Sequence, residues 1–276
     1  MQACNTGNEG QGRRIYATER HEHITSRVKT SGRVSVADVS RELGVTAETI
    51  RRDLDQLEAS GVLRRVHGGA VSAARASVAE ASLADRQGQR SDAKATIARA
   101  ALRLIPATFS GSIVIDAGTT TAHLADLLVT WRPATAGQTL TVITNSVPIA
   151  ATLHHCDHVE LHLLGGRVRG ITSAAVGSTT VDELGRFRPD IAFVGANGVS
   201  ADFGLSTPDE LEGAVKSAIV RGSRRAVVLA DAAKLGEEAL IRFAALDEID
   251  TVITDEVVPT TLGDALEAAG VEVVVA

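Results

Sequence analysis

The chain has 276 residues, 44% of them hydrophobic and 22% charged, and carries a net charge of −6. That length exceeds one ordinary domain and suits two. The composition is that of a water-soluble fold, and no apolar run reaches the roughly 18–20 residues of a membrane span, so a membrane protein is not expected and a cytoplasmic location is.

The N-terminus, MQACNTGNEGQGRR, lacks the apolar core of a secretory signal and reads as a disordered polar tail over residues 1–14. Cys4 and Cys156 are the only cysteines, too few for a disulfide framework. Charge is unevenly spread. Residues 13–75 hold 12 basic and 8 acidic residues, and the remainder holds 16 basic and 26 acidic ones. A basic block on an acidic body suggests one part made for a polyanion and another made for something else.

The spacing of Ile24 and Val28 predicts a helix over Thr18 to Thr30, closed by Ser31-Gly32. In RVSVADVSRELG, Ser35 is a good N-cap, Val36, Val39 and Leu43 make a buried face, and Gly44 closes the C-terminus. A short turn leads to Thr46, a second N-cap, and then to Ile50, Leu54 and Leu57 at helical spacing, before Gly61 ends the helix. Two helices across a glycine turn are the mark of a helix-turn-helix. The early exposed positions of the second helix, Ala47, Glu48, Thr49, Arg51 and Arg52, with Thr46 before them, then face a major groove. Arginine suits guanine edges and phosphates through its forked donors. VLRRVHGGAV reads as a short hairpin, a wing, bringing Arg64, Arg65 and His67 to the sugar-phosphate backbone. The competing reading is a solvated helix face, since Glu48 and Arg52, and Arg51 and Asp55, stand four apart.

The stretch VSVADVSRELGVTAETIRRDLDQLEASGVLRRVHGGAV resembles the N-terminal domain of the DeoR family of bacterial transcriptional regulators. Residues 49–54 match its TIRRDL helix, and Arg65, His67, Gly68 and Gly69 match its wing; Thr46 stands where serine is usual, and both can cap. The winged helix-turn-helix is expected over residues 15–71.

Residues 72–90, polar and alanine-rich, are expected to be a linker or an arm packed on a larger domain over 91–276. There, DAKATIARAALRLI predicts an amphipathic helix stopped by Pro106. Short apolar runs then alternate with helical stretches: SIVIDAG, LTVITN, VELHLLGG, DIAFVGANGV, RAVVLAD, DTVITDE and VEVVVA. Such uniformly apolar runs predict a mainly parallel sheet covered by helices on both faces, an α/β fold that binds ligands beyond the carboxyl ends of its strands. Polar motifs collect at those ends. Asp116-Ala117-Gly118-Thr119-Thr120 runs from a strand into a helix and could cradle a phosphate, or the threonines could simply cap the helix. Thr144 and Asn145 end a strand and Ser146 caps the next helix. Gly165-Gly166 permit close backbone approach, with Arg167 and Arg169 after them, Arg169 expected in solvent. Asn197 ends another strand, Asp209, Glu210, Glu212 and Lys216 lie on or just before a helix, and Asp231 and Lys234 follow a further strand.

These motifs, in this order, are similar to the sensor domain of the same family: D-x-G-T-T, T-N-S, a double glycine, D-x-x-F-V-G, an acidic helix with lysine, and D-x-x-K. Leu235 stands where phenylalanine is usual, and Asn197 where many members carry another polar residue. The resemblance implies a domain similar to ribose-5-phosphate isomerase that answers to phosphorylated sugars. The phosphate would sit on Gly118–Thr120 with Ser146 or Lys234, and Asp116, Asn145, Glu210 and Asp231 would meet sugar hydroxyls. HHCDHVELH, residues 154–162, has metal-binding residue types, but a helix end running into a strand scatters them, so no metal is expected, and no cofactor. The expected function is a DNA-binding regulator, a repressor of sugar metabolism, acting on operator DNA as a dimer or tetramer under a sugar phosphate effector. The rival is a sugar-phosphate isomerase with a basic appendage, using a carboxylate base and Lys234.

Overall fold

Capping and periodicity build the N-terminal helices as the sequence leads one to expect. This computed structural model describes residues 16–31, 33–60, 62–66, 68–72 and 83–276, and the chain divides into two units, Met1–Ala79 and Glu80–Ala276. In the first unit α1 is Ala17–Ser31, β1 Arg33–Ser35, α2 Val36–Leu43, α3 Ala47–Ala59, β2 Leu63–Val66 and β3 Gly69–Ser72. The Ser35 side chain accepts from the Asp38 amide and starts α2, which Gly44 ends in a left-handed conformation (φ 62°). Thr46 caps α3 through the Thr49 amide. Ile24, Val28, Val39, Ile50, Leu54 and Leu57 form one buried cluster.

The wing is larger than a hairpin. Residues 33–35, expected only as the approach to α2, pair with β3, giving the order β1-β3-β2. Gly69 makes this possible: a Cβ there would lie 2.0 Å from the Val34 carbonyl oxygen. α1 is fastened to α3 by a fork. Arg20 Nε donates to Asp53 Oδ2 at 2.7 Å and Nη2 to Oδ1 at 2.9 Å, with His21 Nε2 3.1 Å from Oδ1. Asp53 is buried, the one charged side chain of TIRRDL turned inward.

In the second unit the elements are α4 Leu83–Gly88, α5 Ser91–Leu102, β4 Ser112–Ile115, α6 Thr119–Leu128, β5 Leu140–Thr144, α7 Val147–Leu153, β6 Val159–Leu163, β7 Arg167–Arg169, β8 Ala174–Val176, α8 Ser178–Leu184, β9 Ile191–Gly195, β10 Gly198–Ser200, β11 Gly204–Thr207, α9 Glu210–Gly222, β12 Ala226–Leu229, β13 Ile241–Ala244, β14 Thr251–Thr254, α10 Thr260–Ala268 and β15 Glu272–Val275. The seven apolar runs become one seven-stranded sheet, order β15-β14-β12-β9-β4-β5-β6, parallel at every pairing. Its five inner strands are buried on both faces, and the edge strands β6 and β15 are partly exposed. Ile113 and Ile115 meet α5, α6 and α7 through Ile97, Leu124 and Leu153, while Val114 joins Leu184, Val215, Ile219 and Leu266 of α8, α9 and α10. Two antiparallel additions, β7-β8 and β10-β11-β13, lie outside that sheet. Of the expected linker, residues 83–90 are helix and turn within the second unit, and residues 73–82 lie outside the described ones.

The strand order reverses at β4. The chain proceeds from β4 to β5 and β6 on one side, then returns to β9, β12, β14 and β15 on the other. The crevice between the carboxyl ends of β4 and β9 is therefore the switch point of the sheet.

The Arg20–Asp53 pair carries a prediction. Leaving one partner of a buried pair uncompensated costs about 3–5 kcal/mol. Asp53→Ala should lower the calorimetric transition of the first unit and leave that of the second in place. A thermogram unchanged in both transitions would show the fork to be idle.

Candidate functional site

The outward face of the first two turns of α3 is cationic and solvent-facing, and exposed Asp55 and Glu58 follow it. The Arg51 and Arg52 side chains are 53% and 76% exposed, and each pairs with Glu48, at 3.4 and 3.5 Å. Exposed pairs of this kind are worth about 0–1 kcal/mol and yield readily to a phosphate. Thr46 and Glu48 are exposed beside them, and Ala47 and Thr49 are half-buried, with the Thr46 and Thr49 hydroxyls 2.9 Å apart. Arg65 departs from expectation. Its guanidinium pairs with Asp55 and donates to the Arg51 carbonyl at 3.1 Å, and its amide donates to Glu58 Oε1 at 2.7 Å. It braces the wing against α3 rather than reaching outward. Arg64 lies in β2, and His67 falls outside the described residues.

The second cluster stands at the switch point. Asp116, at the end of β4, is buried; its Oδ2 accepts from Lys216 Nζ and from the Gly195 amide at 3.2 Å. Lys216, also buried, donates to the Gly195 carbonyl at 2.9 Å and so ties β4, β9 and α9 together. Burial pushes the Asp116 carboxyl above the usual carboxylate range, and the Lys216 charge opposes that rise. Lys216 was visible in the sequence only as one lysine of an acidic helix; its role comes from the register of α9. The carboxylate facing this cluster is Glu212. It is buried, accepts from the Thr172 hydroxyl and pairs with Arg169 Nη1 at 3.0 Å. Glu210, two residues earlier, is exposed. Arg169, expected in solvent, is held by Glu212 and by Asp209 at 3.2 Å.

Above Asp116, α6 opens at Gly118 with no side-chain cap. Thr121 turns its hydroxyl back to the Asp116 and Gly118 carbonyls, so it does not cap the first-turn amides beside Thr119 and Thr120. Several expected contact residues serve the fold instead. Thr144 donates to the Ile115 carbonyl at 2.7 Å, and Asn145 spans from the Ala117 amide (3.0 Å) to the Ala175 carbonyl (3.2 Å). Ser146 caps α7 through Ile149. The double glycine answers the chain itself: Gly165 donates to Glu183, and a Cβ at Gly166 (φ 142°) would strike the Thr180 hydroxyl at 2.1 Å. Asn197 Oδ1 accepts from Thr207 at 3.2 Å.

The far wall gathers at the ends of β12 and β14. Asp231 is buried and accepts from the Ala233 amide at 3.0 Å, starting the 3₁₀ turn that carries half-buried Lys234. Lys94 of α5, buried, donates to the Arg86 carbonyl. Burial pushes its ammonium below the ordinary lysine value, with the Asp231 charge opposing. A cleft of about 670 Å³ lies at the opposite, amino end of β5 and β6, lined by Arg132, His155 and His158 among others. Arg132 there is spent on the Val129 and Trp131 carbonyls, and His158 Nε2 lies 2.9 Å from the Leu128 carbonyl oxygen. His162 of the same motif stacks edge-on against Phe187.

A winged helix with a cationic recognition face, joined to a parallel α/β domain with charged groups at its switch point, defines a ligand-responsive DNA-binding regulator. Residues 20–76 match the DeoR-like helix-turn-helix domain and residues 89–256 the DeoR C terminal sensor domain, and the chain belongs to the DeoR family of transcriptional regulators. It is 36% identical over 257 residues to the HTH-type transcriptional regulator GlpR of Haloferax volcanii, covering 93% of this chain and 96% of that one. It is 31% identical over 250 residues to the glycerol-3-phosphate regulon repressor of Escherichia coli, covering 90% and 95%. The HTH-type transcriptional repressor GlcR of Bacillus subtilis is 31% identical over 261 residues, covering 95% and 97%. Among solved structures, ribose 5-phosphate isomerase A of Methanocaldococcus jannaschii matches with a TM-score of 0.37 and 19% identity, over 53% of this chain and 55% of that one. Among the described residues no helix is long and apolar enough to cross a membrane.

The buried pair makes stability depend on pH. Asp116 holds its proton to higher pH in the folded chain than in the unfolded one, so its contribution is greatest in acid and is lost as pH rises through the folded value. Removing the Lys216 charge raises that value further. Lys216→Met should cost about 3–5 kcal/mol near neutrality, and the deficit should shrink as pH falls and the Asp116 carboxyl of the variant takes up its proton. Urea unfolding of both proteins measures it, and a deficit constant with pH would contradict the assignment.

Proposed function

We propose that this chain is a repressor of carbohydrate-metabolism genes that binds operator duplex through α3 and the wing. We further propose that a phosphorylated sugar at the switch point of the sheet controls that binding. The observation that carries the effector reading is the uncapped start of α6. Its first-turn amides stand at the switch point, beside Asp116 and Lys216, where an anion is favoured and hydroxyls have charged partners. Thr119, Thr120 and Gly118 would meet the phosphate, with Lys94 and Lys234 adding positive charge, and Asp116, Glu212 and Asp231 would take hydroxyls. The names of the relatives, a glycerol-3-phosphate regulon repressor and a putative aga operon transcriptional repressor, support a repressor answering to a phosphorylated metabolite. Binding rather than isomerisation is the reading for this pocket, because the domain is joined to a DeoR-like helix-turn-helix domain. Repeated half-sites would engage a dimer or tetramer, as winged and related helix-turn-helix proteins do. The effector acts only through its different affinities for the duplex-binding and released forms.

Two measurements test this. Arg51→Ala and Arg52→Ala should each weaken duplex binding by on the order of 1–3 kcal/mol, while the melting shift produced by sugar phosphates stays that of the parent. The parent's affinity should fall steeply with salt, as release of counterions from phosphates demands; a flat response would sink the docking face. In a thermal-shift panel, glycerol 3-phosphate, pentose phosphates and hexose phosphates are expected to include a stabiliser whose unphosphorylated parent is inert. Turnover of those phosphates would favour the isomerase instead.

A further inference from the structure

The segment leading into the sensor sheet is fastened at two points, on opposite sides of the switch point. At its start the Leu83 amide donates to the Ile171 carbonyl at 3.0 Å. Ile171 sits in the loop of the β7–β8 hairpin. That hairpin is bonded to the end of β5 by Ala175 N to Asn145 O (2.7 Å) and Val147 N to Ser173 O (3.0 Å). It is bonded to α9 by Arg169 and Thr172 on Glu212. At the segment's end Arg90 reaches the carboxylates behind β12 and β14: Asp231 at 3.4 Å, Asp255 at 2.6 Å and Glu256 at 2.9 Å. Between the two, the Arg86 carbonyl accepts from Lys94.

In the sheet, β5 and β12 flank β4 and β9. A chain tied near β5 at residue 83 and over β12 and β14 at residue 90 therefore crosses the mouth of the crevice. The reach agrees. Strands are about 4.8 Å apart, and a helix of α4's length rises about 9 Å, which leaves the remaining span to the turn and the long Arg90 side chain. Arg90 itself is left-handed (φ 51°, ψ 40°), a conformation that disfavours any residue with a Cβ. It persists because the three carboxylates hold the side chain.

We propose that residues 83–90 are a strap across the effector pocket, latched by Arg90, and that occupancy of the pocket loosens the latch. The proposal rests on the sugar-phosphate reading above. A hydroxyl that takes Asp231 competes with the Arg90 guanidinium for the same buried carboxylate. The strap follows the DNA-binding unit in sequence, which makes its fastening the proposed point at which occupancy of the pocket is read.

Hydrogen exchange on the full chain, without added sugar, tests the latch. Arg90→Ala removes the side chain; Arg90→Gly removes it and also relieves the left-handed backbone, so agreement between the two isolates the ion pairs. Both should speed exchange of the amides of residues 83–89 by about tenfold or more while the sheet strands keep their protection. The second readout is affinity for a duplex enriched from random sequence by the parent protein, measured with glycerol 3-phosphate, glucose 6-phosphate and ribose 5-phosphate in turn. Without sugar, both variants should bind the duplex as the phosphate-bound parent does, and lose the parent's response to whichever phosphate moves it. Unchanged exchange at residues 83–89, or a parent-like response in both variants, overturns the strap. If none of the three phosphates moves the parent's affinity or melting temperature, the effector reading fails for them, and the exchange comparison alone decides the latch.

Discussion

One buried charge pair organises the sensor unit. Asp116 and Lys216, a hundred positions apart, meet at the strand ends, and the Gly195 peptide supplies both a donor and an acceptor to them. Neither ion is stable there alone, since each has left water for the interior. The first sheet strand, the central return strand and α9 must therefore arrive in one register for the pair to form. The crevice between β4 and β9 has its shape because those three elements are locked at its floor. Around that floor the other polar groups fall into order: Glu212 with Arg169 and Thr172 on one side, Asp231 with Arg90 on the other.

The DNA-binding unit solves a different problem with the same helix. On α3, Asp53 turns inward to take the Arg20 fork, and Arg51 and Arg52 turn outward with the surface residue Glu48 as a partner. A helix period of 3.6 residues allows adjacent residues such opposite fates. Inward, the charge is compensated and rigid; outward, it is available. Arg65, expected at the DNA backbone, is bonded to α3 through Glu58, the Arg51 carbonyl and Asp55, and so joins the wing to that helix.

The segment between these units has its own logic. A sensor that only bound a sugar would need nothing at residues 83–90 but a tether. Instead this short stretch carries a backbone hydrogen bond at one end and ion pairs to Asp231, Asp255 and Glu256 at the other. Exposed charge pairs contribute little singly, but Asp231 and Asp255 are largely out of water, so this arrangement is sensitive to whatever else approaches those carboxylates.

Local chemistry determined a good deal by sequence alone. Ser35, Gly44 and Thr46 mark helix boundaries because caps act within a few residues, and the apolar runs name the parallel strands, the five inner ones because burial on both faces leaves no polar alternation. TIRRDL and the glycines of the wing marked the family for the same reason: each residue there meets a local demand. What the tertiary structure decided was direction and partnership. Glu212 and Glu210 are equivalent in composition, yet only the first is turned inward, and Lys216 gains its meaning from Asp116 a hundred residues away. The strand at 33–35, the retreat of Arg65 and the glycine at 166 likewise depend on atoms distant in sequence: Gly69, Asp55 and Thr180. Propensity and periodicity are properties of neighbours along the chain, whereas a buried charge chooses its partner in space.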